Sequence, residues 1–348
     1  MPARVKGKDL MHLSRQLAAF LRAGIPILDG LALLARDTSN ATLRRTLDDV
    51  AERLRQGSPL GEAFDHHPKV FPEAYRSMVR SAELTGNLDV VLERLTVYVE
   101  REVEARRKIR SAMSYPMVVV VLSVAVSLLL VTFVLPKFRV FFASFDQELP
   151  LPTRMLLGIS DAFQHWWWAF LVAAVLAGLG SWRFLRSPRG RLTRDRVVLR
   201  LPVLGKALQY SVVERFARVF SAMLQAGVPL GEAMDVAAGA TNNGPAKIAL
   251  ATARGRMLSG EGISEPLADT GIFPAAAVQM IRVGEDTGSL DEQLDVVAGF
   301  YEKELDEKVK QITTLMEPAV LLIMGSIVGF VALALVSAMY GIYGSVGS

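Results

Sequence analysis

Four histidines, His12, His66, His67 and His165, are the side chains best suited to metal ligation or to proton transfer near neutral pH. None belongs to an H-E-x-x-H pair, and His66 with His67 falls in a proline-flanked stretch that reads as a solvated loop. Four carboxylates recur in a pattern: Glu83 and Asp89 in Glu-Leu-Thr-Gly-Asn-Leu-Asp, Glu285 and Asp291 in Glu-Asp-Thr-Gly-Ser-Leu-Asp. Such carboxylates could hold a hard cation. Each run also contains Thr-Gly, a helix stop followed by a new helix start, so helix-terminus electrostatics accounts for the charges without a metal. A G-x-x-x-x-G-K-[ST] phosphate loop is missing, which excludes nucleotide hydrolysis by that route. Cysteine is missing too, and with it any disulfide framework or thiolate zinc site. The sequence therefore presents no catalytic, cofactor or metal constellation, and the expectation is a protein that is not an enzyme.

What the sequence does present is apolar length. Hydrophobic residues make up 51% of its 348 residues, and the mean hydropathy is +0.31. A single soluble domain does not need that much apolar surface. The net charge of +4 is too small for a nucleic-acid binder. The first ten residues carry charges with no apolar stretch behind them, so they do not read as a signal peptide. Three segments suit a bilayer span of about 20 residues. Residues 117–135 and 319–343 hold no charged side chain. Residues 166–184 are uncharged from 169 to 181 and are bracketed by Trp166, Trp167, Trp168 and Trp182, as an interfacial aromatic belt would be.

Lysine and arginine set the expected orientation. Arg101, Arg106, Arg107, Lys108 and Arg110 precede the first span, and seven arginines from Arg183 to Arg200 follow the second. The stretch between them, 136–165, holds only Lys137, Arg139 and Arg154 against Asp146, Glu148 and Asp161. The positive-inside rule then places the N-terminus and the region after the second span in the cytoplasm. The expected organisation is a cytoplasmic helical domain 1–116, a span 117–135, an extracytoplasmic loop 136–165, a span 166–184, a second cytoplasmic domain 185–318, a span 319–343 and an extracytoplasmic tail 344–348.

The two cytoplasmic domains are copies. Gly24 and Pro26 return as Gly227 and Pro229, Gly57 as Gly260, and Phe71-Pro72 as Phe273-Pro274. Glu83, Thr85 and Gly86 return as Glu285, Thr287 and Gly288; Glu317-Pro318 opens the last span as Pro116 opens the first. The offset is 203 residues early and 202 later, so one deletion between Gly57 and Phe71 aligns the halves. A repeat of soluble domain plus one outward helix would leave its second domain outside, and the tryptophan-flanked middle span brings the chain back. The repeats are then parallel. Apolar residues recur at helical spacing, as at Leu13, Leu17, Phe20 and Leu21. Gly24 and Gly227 sit where a C-terminal cap wants positive φ, and Pro26 and Pro229 fit the first turn of the next helix. The fold class expected is an all-α polytopic membrane protein: two homologous bundles of about six helices each and three transmembrane helices. The last helix of each bundle, from about Leu88 or Leu290, is expected to run into the membrane and to bend near its proline. Glu304 with Lys308 and Asp306 with Lys310 are spaced as i,i+4 pairs. Gly325 and Gly329 form a G-x-x-x-G that permits close helix packing.

These features together resemble the inner-membrane platform proteins of type II secretion systems and type IV pili, the GspF/PilC family. The residues that carry the resemblance are Lys8-Asp-Leu with Ser14-Arg-Gln-Leu-Ala18, Ala23-Gly-Ile-Pro26, Phe71-Pro72, Glu83-x-Thr-Gly86, Val283-Gly-Glu-Asp-Thr-Gly288, Leu149-Pro-Leu-Pro-Thr153 and Glu317-Pro318. The resemblance implies a non-enzymatic scaffold in the inner membrane that forms homo-oligomers. It implies a hexameric assembly ATPase as cytoplasmic partner, pilin or pseudopilin subunits in the bilayer, and other inner-membrane machine components. It implies no nucleic acid. Many members carry several tens of residues ahead of Lys-Asp-Leu, where this chain has seven. The Lys-x-Lys-Asp-Leu start leans toward the pilus type. The alternative reading, a transporter or channel component, needs polar pore-lining residues that these spans scarcely offer. A membrane enzyme would need a nucleophile and base near the bilayer, and none is apparent.

The orientation is open to direct test because every introduced cysteine would be the sole thiol. Ser144→Cys should react with an impermeant maleimide in intact cells or spheroplasts, and Ser58→Cys or Ser259→Cys only after lysis. Labelling of Ser259→Cys before lysis would overturn the parallel-repeat topology.

Overall fold

The computed structural model describes residues 5–129, 204–346 and scattered positions between 133 and 194. Every regular element among the described residues is helical. The first repeat supplies α1 (Gly7–Arg22), α2 (Ile27–Asp37), α3 (Ala41–Arg55), α4 (Leu60–Asp65), α5 (Glu73–Thr85) and α6 (Leu88–Leu129). The second supplies α7 (Leu204–Gln225), α8 (Leu230–Ala240), α9 (Gly244–Leu258), α10 (Ser264–Asp269), α11 (Ala275–Thr287) and α12 (Leu290–Val346). Six helices per repeat is the number the sequence leads one to expect. The expected loop 136–165 and most of the expected middle span 166–184 lie outside the described residues.

The chain divides into two compact units, Met1–Ile109 with Leu192–Lys308, and Arg110–Arg191 with Val309–Ser348. The first unit holds both helical repeats around one continuous apolar core. Leu17, Leu31, Leu47, Phe64, Phe71 and Met78 are fully buried in it from the first repeat; Val213, Phe216, Phe220, Leu250 and Ile281 come from the second. Phe71 stacks on Phe64 with ring centroids 4.1 Å apart, and its counterpart Phe273 meets Phe216 edge-on at 5.2 Å.

Local chemistry cuts the helices at matching places. Asn40 caps α3 by accepting from the N–H groups of Thr42 and Leu43, and its counterpart Asn243 caps α9 by accepting from Ala246. Gly24 and Gly227, at φ 76° and 74°, end the first helix of each repeat in the left-handed conformation. Pro26 and Pro229 stand at the N-cap, one residue ahead of the first turn where their fixed φ would place them; helix boundaries shift by that much with the geometry of the first bond. Pro72 and Pro274 occupy the same position before α5 and α11.

The second unit, as far as it is described, is dominated by α6 from Arg110 and α12 from Val309. Both helices run continuously through their prolines, Pro116 and Pro318, and α12 also contains Glu317. Among the described residues, two helices are long and apolar enough to cross a membrane, with windows of mean hydropathy 1.7. Their apolar side chains are uncovered: Leu122 and Val121 on α6, Leu321, Leu322 and Ile323 on α12 all stand exposed. Bare aliphatic stretches of this length are at home in lipid, not in water.

Gly86 and Gly288 close α5 and α11 at φ 76° and 71°, and nothing lies within 4 Å of where either Cβ would be. The cost of a side chain at Gly86 is thus backbone strain alone. Gly86→Val should destabilise the chain by about 1–2 kcal/mol. Gly86→Asn should cost clearly less, because asparagine tolerates this region. Equal losses in thermal melts would show that the glycine is required for something other than φ.

Candidate functional site

The repeated Glu-x-Thr-Gly motif lies at the end of the fifth helix of each repeat, and the structure gives its glutamate a specific task. Glu83 accepts hydrogen bonds from the backbone N–H of Leu60 at 2.7 Å and of Gly61 at 3.0 Å. Glu285 accepts from Ile263 at 2.6 Å and from Ser264 at 2.9 Å. Each carboxylate thus holds both oxygens on the free N–H groups at the start of a six-residue helix, α4 or α10, and adds a negative charge where the helix dipole is positive. The equivalence also locates the deletion between the repeats. Leu60 corresponds to Ile263 at offset 203 and Phe71 to Phe273 at offset 202, so the missing residue falls between Leu60 and Phe71.

Space is tight around this contact. A Cβ on Gly61 would stand 2.8 Å from the Cβ and 2.9 Å from the Cα of Arg80, so α4 rests directly on α5. A Cβ on Gly262 would meet the Glu285 carboxylate at 2.6 Å. Asp65 at the end of α4 is held by both Arg76 and Arg80 of α5, with Arg76 at 2.6 Å. Burial works to raise the pKa of Glu285, and the hydrogen bonds from Ser264 and Ile263, with Arg282 nearby, outweigh it, so the carboxyl sits below its ordinary value. Thr85 and Thr287 turn their hydroxyls onto the carbonyls of Ser81 and Val283 one turn back. The reading of these acids as helix-end groups agrees with the geometry, although the helix each one serves is a neighbour's.

A second cluster lies further along α6, between the Thr-Gly turn and the apolar stretch, and joins the repeats. Arg218 of α7 donates to Glu214 at 2.6 Å and to Glu302 of α12 at 2.9 Å. Arg101 of α6 reaches Glu302 at 3.2 Å, Lys108 reaches Asp306 at 2.8 Å, and Arg215 reaches Glu102 at 3.0 Å. Together with Tyr98 these groups surround a cavity of about 60 Å³. Burial pushes Glu214 up despite Arg218 beside it. Burial, with the Glu102 charge behind it, lifts Tyr98 to about 12, so its phenol stays neutral. The hydrogen bond that Lys108 donates to Asp306 holds its ammonium above the usual value. Asp306, spaced for an i,i+4 pair with Lys310, thus engages Lys108 across the repeats instead, because α6 and α12 run side by side there.

The repeats also meet away from this seam. Helix α8 lies against α5, Asn87 donates its side-chain amide to the carbonyl of Ala226 at 2.8 Å, and Lys247 pairs with Glu73. Asn87 opens α6, where sequence suggests a plain N-cap; its side chain serves the other repeat. His67 corrects the solvated-loop reading, since it is partly buried and shares a 2.8 Å hydrogen bond with Asp49 of α3. Gly325 and Gly329 lie on α12 with open space beside them. The residues that sequence reasoning missed are Tyr75, whose hydroxyl meets buried Ser14 at 3.1 Å, and the seam acids and arginines. A charged run just before a span is their signal, and partner choice is not in it.

A family model, type II secretion system (T2SS) protein F, matches residues 13–136 and again 216–338, the same two copies at the same offsets. The type IV pilus assembly protein PilC of Myxococcus xanthus is 35% identical over 98% of this chain and 82% of its own length. That of Thermus thermophilus is 36% identical over 99% of this chain and 86% of its own. The type II secretion system protein F of Aeromonas hydrophila is 33% identical over 94% and 84%.

Two outcomes test the geometry. A carboxyl held below its unfolded pKa stabilises fully above that value, and the stability is lost as pH falls through the folded one. Thermal melts of the wild type should therefore fall as pH drops below about 4.5, the ordinary glutamate value, and Glu285→Gln should flatten that part of the profile. In the seam, Arg218→Ala strands the buried Glu214 and leaves Glu302 to Arg101, and it should cost about 3 kcal/mol. Arg106→Ala, at an exposed pair with Glu102, should cost about 1 kcal/mol or less. Equal losses would mean that the seam is a surface feature.

Proposed function

The chain belongs to the type II secretion system protein F family, and from that premise we propose that it is a non-enzymatic inner-membrane platform of a type IV pilus or type II secretion machine. It couples a hexameric assembly ATPase in the cytoplasm to the entry of pilin or pseudopilin subunits into the growing fibre. Its partners are that ATPase, the pilins, further inner-membrane components of the machine, the lipid bilayer and other copies of itself. The observation that carries the reading is continuity. The helices that complete the two bundle cores, α6 and α12, are the ones whose distal stretches are apolar and bare. Movement imposed on a bundle by a nucleotide cycle then has a covalent, helical route toward the bilayer. The power source lies outside the chain, in a partner with a phosphate loop.

The topology proposed with this role is the one the arginines favour: both bundles in the cytoplasm, spans at 117–135, 166–184 and 319–343, and an extracytoplasmic C-terminal tail. The motif residues of the glutamate contacts act as framework, keeping α4 and α10 in place. Segments 57–68 and 260–271 bury one side of α4 and α10 in the core and expose Gly57, Glu62 and Pro68, or Glu261, Glu265 and Gly271; they differ most between the repeats while their flanks agree, which suits a surface that addresses a partner asymmetrically. Arg256 there is tied to Glu261 and Asp269 on the surface.

Pull-down and ATPase stimulation with purified ATPase, in detergent or nanodiscs, test the reading. Wild-type chain should retain the ATPase in a salt-sensitive manner. Charge reversals at Arg55, Lys69 and Arg256 should reduce retention severalfold without unfolding the bundle. An ATPase that binds neither bundle, and whose deletion leaves the chain's cellular role intact, would overturn the platform reading.

A further inference from the structure

The two repeats share a fold, yet they do not bury the same faces. Val236 on α8 is 7% exposed, while its counterpart Leu33 on α2 is 46% exposed. Ser81 on α5 is 1% exposed, while its counterpart Val283 on α11 is 45% exposed. Ala74 is buried where Ala276 is exposed. The bundle itself is the same in both cases, so the difference comes from the other repeat. Within the chain, α5 of the first repeat covers α8 of the second. The corresponding pair, α2 of the first repeat and α11 of the second, has no comparable packing among the described residues. An aliphatic side chain therefore stands uncovered on each of two faces that are built to cover one another.

We propose that these faces join separate copies of the chain: α2 of one copy docks on α11 of the next, repeating the contact that α8 makes on α5 inside each copy. The proposal rests on the homo-oligomeric part of the platform reading and names its surface. The side chains fit a second use of the contact. Inside the chain, Gly239 lies near Glu73, small against large: a Cβ on the glycine would stand 3.8 Å from the carboxylate. At the outer contact Arg36 takes the glycine's place and Ala275 the glutamate's, large against small. Both Arg36 and Ala275 are exposed. Asn87, which reaches Ala226 across the inner contact, is replaced by the shorter Ser289, whose hydroxyl is shared with Thr287 at 2.7 Å, so the outer contact needs no amide there. The contact is heterologous, since a face of one kind meets a face of another. Copies joined this way form closed rings where the rotation closes and chains where it does not.

Cysteine cross-linking in membranes tests this, and the chain has no thiol of its own. The pair Asn87→Cys with Ala226→Cys, bridged within one chain by a short bismaleimide, serves as the positive control. Differently tagged Leu33→Cys and Val283→Cys chains, expressed together, should give a mixed dimer, and neither should cross-link to itself. A chain carrying both substitutions should give a ladder of higher species. Self-cross-linking at either single position, or no cross-linking in a preparation whose size shows an oligomer, would place the interface elsewhere. A monomer that still retains the partner ATPase would overturn this interface and leave the platform reading standing.

Discussion

Glu83 and Glu285 solve a problem that a bundle of short helices creates for itself. Every helix start leaves backbone N–H groups without partners, and a six-residue helix has almost no interior bonds to set against them. Sequences usually answer with a serine, threonine or asparagine just ahead of the helix, as Asn40 and Asn243 do elsewhere in this chain. For α4 and α10 the answer comes from a carboxylate more than twenty residues away on the next long helix. That choice does two things at once. It satisfies the short helix, and it fixes that helix to a neighbour that Gly61 lets it touch closely. Phe64 and Phe71, packed on either side of the α4–α5 turn, complete the core only if α4 is so held. The last helix of each repeat then closes a bundle whose other walls are already placed.

Two equal bundles are joined unequally. At one end the joint is a helix face and an asparagine; further along α6 it is a set of acids and bases enclosed by three helices. The charged seam occupies the last stretch of the first unit before the apolar part of α6 and α12. Arginine suits that place. Its fork engages two acids at once, as Arg218 does with Glu214 and Glu302, and its charge persists at any pH the cell offers. An aliphatic seam would bind more simply but would tell one register from another less well, since Leu packs on Leu at many offsets and a fork does not.

Much of the fold is legible in the sequence because its punctuation is local. Glycines at positive φ, the prolines that precede helices and the duplicated motif mark nearly every helix end, and the offset of the repeat fixes the correspondence of the two halves. The partners are another matter. Glu83 looks like a terminal charge of its own helix, since nothing in its neighbourhood names Leu60 or Gly61. Asp306 looks like the partner of Lys310, because the i,i+4 rule sees only one helix. His67 reads as loop because Asp49 is on the far side of a turn. Local rules give ends; tertiary proximity assigns the bonds. The middle span, expected at 166–184, rests on the tryptophans and arginines around it.

The joint between the repeats pairs a buried helix face with a charged seam. Between free chains, the exposed ion pairs in such a joint would add little affinity of their own. Written into a single polypeptide, the same two surfaces meet at an effective concentration in the millimolar range whatever the copy number of the protein. Fusion thus removes the demand for affinity and leaves only the demand for fit. With both bundles in one polypeptide, their one-to-one stoichiometry is a property of the reading frame.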